Sequence, residues 1–90
     1  VIGVDENELG SNQVMLFPNP AKDEFTVRLA VADTRLESIE VITVTGKSVI
    51  MNNTISSAEA HLNVSSLSAG IYIVRIQTDK GFSIQKLTIQ

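Results

Sequence analysis

The chain has no cysteine and no tryptophan, one histidine, one tyrosine and only three phenylalanines among its 90 residues. Without cysteine there is no disulfide staple, no thiolate metal ligand and no thiol nucleophile. A single histidine, His61, leaves a zinc site without the three or four converging ligands it needs. A serine–histidine–acid triad also lacks its setting, because the strained G-x-S-x-G turn is missing. His61 therefore reads as an exposed histidine on a short strand. Basic residues are few: seven Lys and Arg against ten acids give a net charge of −3. They form no basic stripe, so the electrostatic footprint of a nucleic-acid binder is missing. No apolar run approaches the roughly 20 residues of a membrane helix. The start, Val1-Ile2-Gly3-Val4-Asp5, has neither the charged nor the apolar region of a secretory signal peptide, and no initiator Met. The chain reads as a piece of something longer.

What is present is aliphatic. Hydrophobic residues make up 43 % of the chain and aromatics only 4 %, so Ile, Val and Leu must build the core. The β-branched pair suits pleated strands. Ninety residues make one domain, and a chain of this length buries about 60–65 % of its unfolded surface. Residues 1–13 read as an interdomain linker, since Asp5, Glu6, Glu8, Gly10, Ser11 and Asn12 break any apolar period. The domain proper is then 14–90.

Val14–Phe17 is a short edge-lying strand, stopped by Pro18-Asn19-Pro20, whose prolines remove two N–H donors. Glu24–Leu29 alternates strictly, with Phe25, Val27 and Leu29 on one face. Ala30–Arg35 is a loop. Ser38–Val44 and Lys47–Met51 form a hairpin around Thr45-Gly46-Lys47, where Gly46 supplies a positive φ. Asn52–Ser57 is rich in turn residues. Ala60–Val64 is a short strand with Leu62 and Val64 inward, and Ser65–Gly70 a single turn of tight helix. Ile71–Gln77 is so continuously apolar that it reads as a central strand covered on most of both faces. Thr78–Gly81 turns the chain into a closing strand, Phe82–Ile89. The strands and turn signals predict an all-β, seven-stranded antiparallel sandwich. The expected core is Phe25, Val27, Leu29, Ile39, Val41, Val49, Leu62, Leu67, Tyr72, Val74, Ile76 and Leu87.

No catalytic, cofactor or metal site emerges. The regular oxygen offsets of a calcium loop are missing, leaving only a loose cluster of Asn19, Asp23 and Asp33. Glu37 and Glu40 stand three apart on a strand, so they point to opposite faces and form no catalytic pair. Asn52-Asn53-Thr54 and Asn63-Val64-Ser65 match the glycosylation sequon, a pattern common by chance. Arg28, Arg35, Arg75, Lys80 and Lys86 read as solvated positions.

The local features left unexplained occur in a recognisable order. Leu16-Phe17-Pro18-Asn19-Pro20-Ala21 precedes an alternating strand, and Ile39–Val44 leads into Thr45-Gly46-Lys47. Then come Leu62–Ile76, containing Ser68-Ala69-Gly70-Ile71-Tyr72, and finally Gly81 with Lys86-Leu87-Thr88-Ile89 near the chain end. This combination resembles the type A C-terminal sorting domains of the type IX (Por) secretion system of Bacteroidetes. It covers residues 14–90, with Ser68 standing where the family often has proline. The resemblance implies an immunoglobulin-like sandwich and a non-catalytic export signal. It also implies that fused cargo passes through the periplasm to the cell surface or the medium. The implied partners are outer-membrane translocon components and a sortase-like surface protease that often removes the domain.

On that basis Gly70, Tyr72, Gly81, Lys86 and Leu87, with the C-terminal edge, are the candidate recognition surface. Pro18, Asn19, Pro20 and Gly46 are structural turn residues. Cleavage is expected within 1–13. The competing reading is an accessory carbohydrate-binding or adhesion sandwich, for which Phe82 is the one plausible exposed platform.

Overall fold

The computed structural model describes residues 14–30, 34–53 and 57–90. The lead-in 1–13, Asp33 of the loose oxygen cluster and Thr54 of the first sequon lie outside the described residues. Among those described, seven strands form: β1 (Val14–Phe17), β2 (Glu24–Leu29), β3 (Leu36–Thr43), β4 (Ser48–Asn52), β5 (Glu59–Asn63), β6 (Gly70–Thr78) and β7 (Gly81–Ile89). They make a three-stranded sheet, β1-β2-β5, and a four-stranded sheet, β4-β3-β6-β7. Every strand pair is antiparallel. The architecture is the sandwich the alternation predicts.

The core fills the space between the sheets. Phe25 and Val27 from β2 pack with Ile39 and Val41 from β3, Val74 and Ile76 from β6, and Leu87 from β7. Each such aliphatic contributes about 1.5–3 kcal/mol on burial. Ten of the twelve expected core residues are buried; Val49 and Leu67 are only partly buried and pack against the rest. Val14, Ala21, Leu36, Val64 and Ile89 join them. Leu36 enters because β3 starts two residues earlier than expected, with its register shifting between Leu36 and Ser38. That irregularity lets Leu36 and Ile39, three apart, both face inward.

Several local expectations need correction. Val44 is not a strand residue but lies in the exposed β3–β4 turn, where Gly46 has φ 98°. The Ser65–Gly70 segment forms no tight helix. One turn suffices, in which the Leu67 N–H donates to the Val64 carbonyl at 3.0 Å. The β6 strand is central, between β3 and β7, yet covered on one face only. Tyr72, Val74, Ile76 and Thr78 are buried, whereas Ile71 is 50 % exposed and Arg75 is exposed. Ile71 faces solvent, as does Ile84 of β7 opposite Arg75, because no third layer covers this sheet among the described residues.

Candidate functional site

The β7 strand ends the four-stranded sheet, so among the described residues one side of its backbone has no neighbouring strand. Its inner residues are fixed by packing: Ser83, Leu87 and Ile89 are buried. Its outer residues alternate with them, Phe82 half-buried, Ile84 51 % exposed and Lys86 exposed. The β6–β7 pairing runs without slip from Thr78–Gly81 to Gly70–Ile89, which places all five candidate recognition residues on these two strands.

They do not share a surface. Leu87 is fully buried and pairs with Tyr72, itself in the core. The Tyr72 hydroxyl donates to the Ser68 carbonyl at 2.7 Å, tying the turn before β6 to the core. Gly70 and Gly81 both have φ 152°, a backbone conformation that L side chains rarely adopt. Gly81 closes the two-residue β6–β7 turn, and its carbonyl accepts from the Thr78 hydroxyl at 2.8 Å. Of the five, only Lys86 carries an exposed side chain.

The Pro18-Asn19-Pro20 turn proves to be part of the same region. It turns the chain after β1 and delivers Asn19 and Ala21 to the free side of β7. The Asn19 Nδ2 donates to the Lys86 carbonyl at 3.0 Å, and its Oδ1 accepts from the Thr88 N–H at 3.1 Å. The Ala21 N–H donates to the Thr88 carbonyl at 2.7 Å, and its carbonyl accepts from the Gln90 N–H at 2.8 Å. Ala21 thus pairs with Ile89 as a one-residue parallel bridge, and its side chain is buried. The sequence marks this turn through its prolines, but carries no signal of what Asn19 bonds, since the partners lie 67 and 69 residues away.

The terminal edge is therefore not open along its length, as a last strand alone would be. Its C-terminal half, Lys86–Gln90, is covered by Asn19 and Ala21. Its N-terminal half is covered by none of the described residues. Below it, the Gln85 Nε2 donates to the Val14 carbonyl at 2.8 Å, bridging β7 to β1 of the other sheet.

The remaining polar residues form no reactive cluster among those described. His61 is exposed, and its Nδ1 lies 2.8 Å from the Thr26 hydroxyl. Glu37 and Glu40 line separate surface depressions, one beside the β6–β7 turn and one beside Met51 and Arg75. No group of three His, Cys, Asp or Glu among the described residues is placed to hold a metal. Arg28 is not simply solvated: it pairs with Glu59 at 3.0 Å and stacks 5.1 Å from the Phe17 ring centroid. The exposed aromatic is thus Phe17 rather than Phe82, and Arg28 covers it.

The family model for the secretion system C-terminal sorting domain matches residues 15–90. The chain belongs to this family. It is a C-terminal sorting signal of the type IX secretion system, and the observed sandwich is the fold that carries the signal. An endo-acting ulvan lyase from Formosa agariphila is 29 % identical over 79 residues, or 88 % of this chain. The chain spans 15 % of that relative's length. Among solved structures, the sulfur carrier protein SoxY from Chlorobium limicola f thiosulfatophilum matches with a TM-score of 0.52. That match covers 92 % of this chain and 84 % of the other at 13 % identity, a likeness of fold alone.

Proposed function

We propose that this sorting domain acts without catalysis of its own, as a folded label whose β6–β7 hairpin is recognised by outer-membrane translocon components. The observation that carries this reading is the position of β7: it is the last strand of its sheet, and among the described residues only the C-terminal half of its edge is covered. Such an edge gives affinity through main-chain bonds and specificity through alternate side chains. Lys86 supplies an exposed charge on that strand. Gly70, Gly81, Tyr72 and Leu87 act by holding the hairpin's shape. Upstream cargo is fused before residue 14, and its activity is independent of this domain. The cargo crosses the periplasm before it reaches the surface or the medium. A sortase-like protease then cuts within 1–13, the acidic and polar stretch that reads as a linker.

The test is a reporter fused to the chain in a bacterium with this secretion system. Removing Phe82–Gln90, or replacing Lys86 and Gly81 together, should leave the reporter in the periplasm. A reporter that still reached the surface with β7 removed would refute recognition through this strand.

A further inference from the structure

We propose that the uncovered half of the β7 edge, Phe82 to Ile84, is a strand-addition site for an extended partner segment that is apolar at its centre and acidic at its ends. The inference deepens the sorting reading, and rests on it only for its biological setting.

The direction of the backbone groups follows from the bonds already described. Lys86, Thr88 and Gln90 turn their hydrogen-bonding groups away from β6, toward Asn19 and Ala21. Backbone direction alternates along a strand, so Ile84 and Phe82 turn theirs the same way. Among the described residues nothing bonds to them, and four outward groups, the N–H and C=O of each, stand free. Sheet edges are normally blunted by cover, proline or charge. Here the cover stops at the Lys86 carbonyl, and neither remaining residue is polar.

The side chains around this gap define what fits it. Ile84 and Phe82 flank it on the outer face, so an added strand would lay apolar side chains beside them. Underneath, the Gln85 Nε2 donates to the Val14 carbonyl, so the partner's inward side chains would lie beside a polar bridge to β1. Exposed Lys80 and Lys86 frame the two ends, and neither is ion-paired among the described residues. At the Lys80 end the Asp79 carboxylate accepts from the Arg35 N–H at 2.9 Å, and Glu37 lines the same depression as Lys80 and Phe82, so Lys86 is the cation with no acid beside it on the strand.

A second copy of the chain fits poorly. The antiparallel self-pairing that uses all four groups sets Phe82 across from Ile84, and so sets Lys80 of each copy across from Lys86 of the other. Like charges directly opposite are destabilising. Shifting the pair to centre on Ile84 requires the Lys86 carbonyl, which Asn19 occupies. A foreign strand with acidic ends meets neither obstacle.

The test needs no secretion apparatus, so its outcome is separable from that of the export assay. The probe is a capped seven-residue peptide with glutamate at both ends and alternating valine and threonine between. It is titrated into the isotope-labelled 90-residue chain. The expected result is a saturable shift, with slowed hydrogen exchange, at the Phe82 and Ile84 amides and not at Val49 or Met51 on the opposite edge. Ile84→Pro removes an outward donor without touching the ladder to β6, and edge strands tolerate proline. It should weaken binding about tenfold, the worth of roughly one hydrogen bond. N-methylation of the peptide's paired amides should do the same with the chain unchanged. Lysine in place of the glutamates should weaken binding further at low salt. Absence of binding, protection at another strand, indifference to N-methylation, or self-association of the chain through β7 would each overturn the proposal.

Discussion

Asn19 Oδ1 accepts a hydrogen bond from the Thr88 N–H at 3.1 Å, joining a turn near the start of the domain to its last strand. With Nδ2 on the Lys86 carbonyl, the side-chain amide stands where the peptide group of a neighbouring strand would stand. Half of an edge is thereby closed by one side chain and one residue of backbone.

Asn19→Asp tests this arrangement. Aspartate keeps the acceptor toward Thr88 but turns a second acceptor on the Lys86 carbonyl, so one bond is replaced by repulsion. Loss of stability of about 1–2 kcal/mol is expected, as for one or two hydrogen bonds near the surface. Chemical denaturation measures it. Hydrogen exchange should quicken at Thr88 and Gln90 and stay unchanged at the buried centre of β3.

Phe25→Ala should cost about 3–5 kcal/mol, because the ring is fully buried and cannot be replaced by solvent. A chain of this size has little stability to spare, so the variant is expected to unfold at much lower denaturant. Met51→Ala, at an exposed position, should change stability by no more than about 0.5 kcal/mol.

Tyr72→Phe removes only the hydroxyl that binds the Ser68 carbonyl. The ring stays in the core, and a loss of about 1 kcal/mol is expected. The same variant fused to a reporter should be exported normally if Tyr72 acts through shape. Export lost with stability largely kept would instead make the hydroxyl a contact.

Glu59→Gln should matter little. The Arg28–Glu59 pair is substantially exposed, and pairs of this kind are worth about 0–1 kcal/mol. Thermal melts in low and high salt should differ by less for the variant than for the native chain.

The legible and illegible parts of this fold differ for a physical reason. Phe25, Val27 and Leu29 were readable as one face because β2 alternates strictly, and alternation reports a strand with one buried side. Ile71-Tyr72-Ile73-Val74 gave no such report: an apolar run looks the same whether a third layer covers it or solvent does. Only the assembled sheet shows Ile71 half exposed. Leu36 is not legible as a core residue because a register irregularity breaks the period that would reveal it. The cover over Lys86–Gln90 was beyond the sequence altogether. A proline-flanked asparagine announces a turn, but what its amide reaches is set by how two sheets close across almost the whole chain. Hence the terminal strand was readable as an edge, and its division into covered and uncovered halves was not.

As a sorting domain of this family, these strands should carry a parent protein out through the type IX system as a folded unit. The direct measurement appends residues 14–90 to an unrelated reporter that already carries an inner-membrane export signal. The reporter is then located by surface labelling and fractionation in a bacterium with the system intact or disabled. Surface or medium localisation is expected only when both the domain and the system are present. A reporter held in the periplasm with both in place, or exported with the system disabled, would contradict it.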